Sequence, residues 1–486
     1  MASFAPVLAE AGWIARENPA RPDEQVGRVR EDDAASVAAR VTEAATAQTR
    51  WVAYSLDQRI AILSAAFEAA ATHAPAHAEL LSREMGKLIA DCLGEIRFGY
   101  ALARDLLARA PRLLPDQSRG QGPGRRVVRR RPYGVIAAIV PWNAPIVLAM
   151  TKIVPALVSG NAIVVKPSPL SPLALSALIE SIADHLPEPV LHVVNGGGAV
   201  GEALISAPGV AKVAFTGGTA VGGAVLRQAS ARLVPCVMEL GGNDPLILLD
   251  DFDPTPDALQ AIVWATFLNA GQVCMAAKRL LVPEVMAPRF IDAYVDVARR
   301  LFRLGDPLDG HVTMGPLITA ASAAHIDRLA THSAQGGGTV VSLLPDGTAL
   351  PDTGYFLPPR LVTGLDPTAP LVAEEQFGPI VPIVTYRDEA DMLAQANAGD
   401  LGLSASIWTA DPDRGWDTLG HVRAGFGMVN AHNRSGFSFD LPFGGIGASG
   451  FGREYGDEGL LEYSVVQSLH QPAARAGGGA SYPTPL

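Results

Sequence analysis

This chain reads as an α/β protein whose sheets are mainly parallel, and three features point there. From Val135 onward, short β-branched runs alternate with helix-length segments: VIAAIV, NAIVVKP, VLHVVNG, KVAFTGG and PLILLDD. Strands separated by helices of that length form βαβ units, whose crossovers make neighbouring strands parallel. The run KVAF passes directly into the glycines of FTGGTAVGGAV and then a helix-forming stretch. That turn lies at the carboxyl end of a strand, where open parallel sheets bind ligands. Finally, 48% of the residues are hydrophobic and 18% charged, against about 25% charged in an average globular chain, so there is ample material for large cores. A length of 486 residues suggests about three domains.

Taken in order, the N-terminus MASFAPVLAEAG lacks a basic stretch followed by an apolar run, so no secretory signal is expected and the cytoplasm is the default. From Ala34 to Ala110 apolar residues recur at spacings of three and four, as in Ile60, Leu63, Ala66 and Phe67, which predicts helices packed over a sheet. Pro111 to Pro123 breaks that pattern. Arg125, Arg126, Arg129, Arg130 and Arg131 then flank Val127 and Val128. With a net charge of -11 and no interleaved aromatic platform, this stretch reads as a solvated or subunit-facing strand, and nucleic acid is not an expected partner. Gly134 to Thr151 is 18 residues without a charge, long enough to raise a membrane helix. Pro141 and Pro145 in its middle break helical hydrogen bonding. A buried strand, a turn and a helix from about Pro145 are predicted instead. A second alternating series from about Gly241 to Gly425 predicts a second α/β domain that includes a helix around Cys274. The tail from His470 is rich in Gly, Ala and Pro and is expected to be poorly ordered beyond its first residues.

Three cysteines, Cys92, Cys236 and Cys274, leave an odd thiol and show no metal-ligand spacing, so a reducing compartment and no metal are expected. Cys274 stands out in FLNAGQVCMAAKR, after a glycine turn and before a helix-forming run. A helix starting there would favour a thiolate and help to stabilise an oxyanion. Glu239, in CVMELGGNDP, ends an apolar run; desolvation there would raise its pKa into the range of a general base. Asn143, in PWNAP, is a buried amide able to supply an oxyanion donor. Gly217, Gly218, Thr219 and Gly222 do not form the GxGxxG fingerprint. They nevertheless sit where a pyrophosphate would meet helix N–H groups.

Together PWNAP, GNAIVVKP, FTGGTAVG, MELGGNDP, GQVC, EEQFGPI and LPFGGIGASGFGRE resemble the aldehyde dehydrogenase superfamily, in its order and approximate spacing from about Asn18 to Leu469. The resemblance implies two parallel-sheet α/β domains and a small β oligomerisation element. Residues 1–113 and 133–240 would form the dinucleotide-binding domain and 241–448 the catalytic domain. Residues 114–132 and 464–473 would form the oligomerisation element, 449–463 would return to the cofactor domain, and 474–486 would be a flexible tail. A homodimer or homotetramer follows. Cys274 would attack an aldehyde, Asn143 and the Cys274 N–H would hold the oxyanion, and Glu239 would activate the hydrolytic water, with Lys152 near the active site. Trp142, Gly217, Gly218 and Gly222 would lie by the pyrophosphate, Lys166 and Ser168 by the adenine ribose, and Glu375 and Phe377 by the nicotinamide ribose and ring.

Two departures bear on specificity. Many NAD-preferring members carry a carboxylate three residues after the strand-end lysine, where it binds ribose hydroxyls and repels a 2'-phosphate; here that position is Pro169. NAD is the expected cofactor, with NADP admitted by that loss. Thr151 stands where several small-aldehyde members have a bulky aromatic, with Leu148 a turn earlier, which implies room for a medium to large or aromatic aldehyde. Phe437, Phe439 and Phe443 would line the entrance, and Arg434 is a weaker candidate for a substrate carboxylate. The alternatives are a coenzyme A-acylating member, which the presence of Glu239 disfavours, a thiol esterase without nicotinamide, and a catalytically silent homologue.

Overall fold

Four helices, Ala34–Trp51, Leu56–Ala71, Ala74–Met85 and Ile89–Leu113, fill the N-terminal stretch of the computed structural model, which describes residues 12–120 and 124–472. The first two begin at reciprocal caps: Asp33 with Ser36 and Ser55 with Gln58 satisfy each other's backbone N–H groups, which a helix start otherwise leaves unpaired. Trp51 is fully buried, and its indole donates to the Leu157 carbonyl at 2.8 Å. That bond fastens the first helix to Pro145–Val158, the buried helix that begins with proline at its first position, where the missing N–H costs nothing.

Ala34–Trp51 and Pro145–Val158 pack on a six-stranded sheet of order Gly450–Phe451, Cys236–Glu239, Val210–Thr216, Val135–Ile139, Ala162–Lys166, Leu191–Val193. All neighbours are parallel except Gly450–Phe451, which runs antiparallel to Cys236–Glu239. Register aligns Ile139 with Lys166 and Phe215, and Thr216 with Glu239. The segments after these residues therefore share one edge of the sheet. The strands are buried on both faces, as a sheet covered by crossover helices must be.

A second, seven-stranded sheet follows, of order Thr339–Ser342, Arg360–Thr363, Ile380–Tyr386, Arg279–Pro283, Pro245–Leu248, Ser404–Trp408, Phe426–Val429. Only the Thr339–Ser342 edge is antiparallel. Its core of Leu246, Leu280, Phe290, Tyr294 and Val381 is separate from that of the first sheet. The arginine stretch forms Gly124–Pro132, paired antiparallel along its length with Ser464–Pro472 and on its other side with Gln117–Ser118. No helix among the described residues is long and apolar enough to cross a membrane.

One element escaped the sequence reading. Trp13–Asn18 and Arg21–Arg30 form an antiparallel ribbon ahead of the helices; the second strand is polar on both faces, so it carries no apolar alternation to betray it. The expected flexible tail, 474–486, lies outside the described residues.

Candidate active site

Cys274 is not at a helix N-terminus, contrary to the sequence expectation. The helix Pro256–Phe267 ends before it in a tight turn, Leu268–Gly271, in which Asn269, Ala270 and Gly271 take positive φ of 52°, 54° and 74°. After Cys274 the chain extends into Arg279–Pro283. The helix preference of MAAK, worth little over four residues, loses because RLLVP is a central strand buried between Ile380–Tyr386 and Pro245–Leu248. The turn requires glycine at 271, where a Cβ would lie 2.3 Å from the Gly378 carbonyl oxygen.

Side chains brace this loop. Gln272 is fully buried; its Nε2 donates to the Asn269 carbonyl at 3.0 Å and its Oε1 accepts from Ile318 N at 3.0 Å. Asn143 Nδ2 donates to the Gln272 carbonyl at 3.1 Å. Asn143 follows the strand Val135–Ile139 of the first sheet and Cys274 precedes a strand of the second, so this hydrogen bond ties the two sheets together at the candidate nucleophile.

Two cavities meet there. One, of about 330 Å³, is lined by Trp142, Gly217, Gly218, Glu375, Phe377, His325 and Ser322; the other, of about 280 Å³, by Phe98, Val147, Met275, Arg434, Phe437, Phe443 and Tyr455, with the buried pair Lys87–Glu95. Asn143, Leu148 and Cys274 line both. In the first, Phe377 stands edge-on to Trp142 with ring centroids 5.6 Å apart, and the Lys278 ammonium lies 4.7 Å from the Phe377 centroid. Gly242 N–H donates to Glu375 at 3.3 Å. Gly241 admits that carboxylate, since a Cβ there would be 2.2 Å from Glu375 Oε2.

These surroundings fit a dinucleotide. Gly218 precedes the helix Thr219–Ser230, no side chain caps its first N–H groups, and a Cβ at Gly218 would meet nothing within 4 Å. A phosphate would find open donors and the positive end of a helix there. Gly222 lines neither cavity; it allows the same helix to pack on Leu240.

Several candidates lie behind the cavity walls. Glu239 ends its strand at 3% exposure, and neither carboxylate oxygen has a hydrogen-bond partner. Burial first, and the charge of Glu454 second, push its pKa well above the usual carboxylate range, against Lys152 and Arg453. Lys152 is fully buried, paired with Glu454, and donates to Thr216 Oγ1 at 2.8 Å. Thr151 is buried and donates to the Leu148 carbonyl at 2.9 Å. Lys166 donates to the Gly196 carbonyl at 2.6 Å and the Pro167 carbonyl at 3.0 Å, and burial lowers its pKa to about 8. Ser168 accepts from Leu170 N at 3.2 Å. Glu239, Thr151, Lys152, Lys166 and Ser168 line neither cavity. Phe439 packs on Phe98 behind the second cavity, with centroids 4.8 Å apart.

The sequence reading missed Gln272, Lys278 and Asp244. The last two, with Glu375, form a buried charged group facing Cys274, whose thiol is pushed up to about 12 by burial, then by Glu375 and Asp244, with Lys278 opposing. Lys278 was visible as one of five lysines in the chain, which was its only signal. Among the described residues no group of three or more His, Cys, Asp or Glu side chains is placed to hold a metal.

The model of the aldehyde dehydrogenase family matches residues 8–469 of this chain. An NADP(+) succinate-semialdehyde dehydrogenase of Escherichia coli is 34% identical over 455 residues, covering 93% of each chain. A betaine aldehyde dehydrogenase of Brucella melitensis is 37% identical over 348 residues, 70% of each. The crystal structure of an NAD-dependent aldehyde dehydrogenase from Sinorhizobium meliloti superposes with a TM-score of 0.90 at 30% identity, covering 96% of this chain and 93% of that one.

Proposed function

The chain belongs to the aldehyde dehydrogenase family and is an NAD(P)-dependent aldehyde dehydrogenase, and from that premise we propose that it oxidises a medium to large or aromatic aldehyde to the carboxylic acid through a covalent intermediate on Cys274. The observation that carries this reading is the meeting of two cavities at Cys274 and Asn143. A nucleophile at that junction touches a substrate from one side and a cofactor from the other.

Glu239 takes the Cys274 proton and passes it to solvent; Sγ then attacks the carbonyl carbon, and the carbonyl electrons move onto oxygen. Asn143 spends one amide hydrogen on Gln272; its second, with the Cys274 main-chain N–H, receives the oxyanion. The hydride would leave the former carbonyl carbon for the nicotinamide that the first cavity would hold. The resulting thioester is cleaved by water: Glu239 takes a proton, the C–S bond breaks, and the acid departs while Sγ keeps the electron pair. Glu239 would reach that water by turning out of its buried position, giving up its attraction to Lys152 and Arg453 and its contact with the Gly445 N–H. Lys152 and Glu454 set the charge behind it and act as positioning residues. Glu375 and Phe377, which line the first cavity with Cys274, would hold the nicotinamide riboside.

The second cavity favours a ring. Phe437 stands 4.5 Å from Tyr455 and 5.7 Å from Phe443 between centroids, and such faces and edges suit an aromatic guest. Arg434 is engaged by Asp91 at 3.0 Å, which weakens it as a partner for a substrate carboxylate. The division into cofactor, catalytic and oligomerisation segments, and assembly through the Ser464–Pro472 strand, belong to the same proposal. The test follows reduced nicotinamide by absorbance with NAD and with NADP over aliphatic, aromatic and carboxylated aldehydes, without coenzyme A. Turnover on aromatic or long aldehydes is expected; an absolute need for coenzyme A would replace hydrolysis with acyl transfer.

A further inference from the structure

Lys166 ends the strand Ala162–Lys166 and points toward the loop Asn195–Gly198, where its ammonium donates to the Gly196 carbonyl. The loop is held from outside. Asp32 N donates to the Asn195 carbonyl at 2.8 Å, and Asn195 N donates back to Asp32 Oδ2 at 2.7 Å. This two-way link fixes the chain just after the N-terminal ribbon against the end of the first sheet. It sets the neighbouring Glu31 beside the same loop, where Glu31 Oε1 accepts from Gly197 N at 3.3 Å. The Glu31 charge acts on the Lys166 ammonium. Around them the surface is open: a Cβ at Gly197 or Gly198 would meet nothing within 4 Å.

We propose that Glu31, carried by the segment after the N-terminal ribbon, reads the adenosine ribose hydroxyls and disfavours a 2'-phosphate, in place of the carboxylate absent at Pro169. This rests on the reading that Lys166 marks the ribose end of the dinucleotide cleft. A carboxylate accepts hydrogen bonds from hydroxyls and repels a phosphate dianion, so one side chain supplies attraction to NAD and a penalty against NADP. The ammonium alone would attract the 2'-phosphate; Glu31 beside it cancels that attraction. Glu31 is exposed, so the penalty is moderate and salt-sensitive.

The test measures dissociation constants of NAD and NADP by calorimetry on the full chain without aldehyde, for wild type, Glu31→Gln, Glu31→Asp and Lys166→Met. Wild type is expected to prefer NAD, and Glu31→Gln to narrow the NAD-over-NADP preference by about tenfold, the size of one near-surface charge interaction. Glu31→Asp should keep most of that preference. Raising salt should narrow the difference in preference between wild type and Glu31→Gln, because it screens the one charge that distinguishes them. A wild type without NAD preference, or a Glu31→Gln preference within about twofold of wild type, overturns the proposal, twofold lying below the effect of one such charge. Lys166→Met separates the two premises. If it weakens both dinucleotides while Glu31→Gln leaves the preference unchanged, the ribose site stands and the role of Glu31 falls. If Lys166→Met folds, as checked by thermal unfolding, and binds both dinucleotides normally, both fall.

Discussion

A buried carboxylate with no hydrogen-bond partner is expensive, and Glu239 is one. Its raised pKa would let it act as the proposed base only at higher pH than a surface glutamate. The steady-state rate should therefore climb about tenfold per pH unit on the acid side and level off well above pH 4.5. Glu239→Gln should release one burst of reduced cofactor per site and then stall; undiminished steady turnover would remove Glu239 as the obligatory base. Cys274→Ala should abolish oxidation while dinucleotide binding, followed by calorimetry, survives. Asp244 and Glu84, each raised to about 7 by burial, give a stability prediction. The folded chain binds protons that the unfolded chain has released between about pH 4 and 7, so stability falls as pH rises through that window. Asp244→Asn should flatten the dependence by on the order of a few kcal/mol, read from urea midpoints at a series of pH values.

Secondary structure here serves to bring remote residues to one place. The helix Leu56–Ala71 starts at Ser55, whose side chain accepts from Gln58 N, and Ser55→Ala should cost about 1 kcal/mol in urea unfolding. A larger effect is expected where the chain returns to the first sheet. Gly450 has φ of 113°, and a Cβ there would lie 1.9 Å from the Met238 carbonyl oxygen. Gly450→Ala should lower stability by at least about 2 kcal/mol. It should also impair turnover, because Met238 adjoins Glu239 and the strand beside it would shift. A Gly450→Ala protein with wild-type unfolding and rate would refute this coupling between the return strand and Glu239.

For the whole molecule, the outer edge of Ser464–Pro472 exposes Val465, Val466 and Leu469. An open, apolar strand edge invites pairing with another chain. If the chain assembles through this edge as proposed, light scattering should give an oligomer for wild type and a lower mass for Val466→Asp; a monomeric wild type or an unchanged mass would remove the edge as an interface. Much of this architecture was legible before any coordinates. The runs VIAAIV and KVAF announced parallel strands because a strand buried on both faces is written as continuous β-branched residues, and motifs around Cys274, Glu239 and Asn143 marked those side chains. Other features were not legible, because they depend on what lies across space from a residue. MAAK looks helical until the strand after it is claimed by two neighbours in a sheet, so Cys274 sits in a turn. The raised pKa of Glu239 is legible in the apolar run it ends, but not the charges of Lys152 and Glu454, distant in the chain, that act on it. Thr151 looks like a pocket position until its helix is rotated inward. Local pattern and chemistry are properties of neighbours along the chain, so they were written in the residues themselves. The two cavities, the burial that shifts each pKa, and the placing of Glu31 beside Lys166 arise from contacts between distant segments, which exist only once the sheets have assembled.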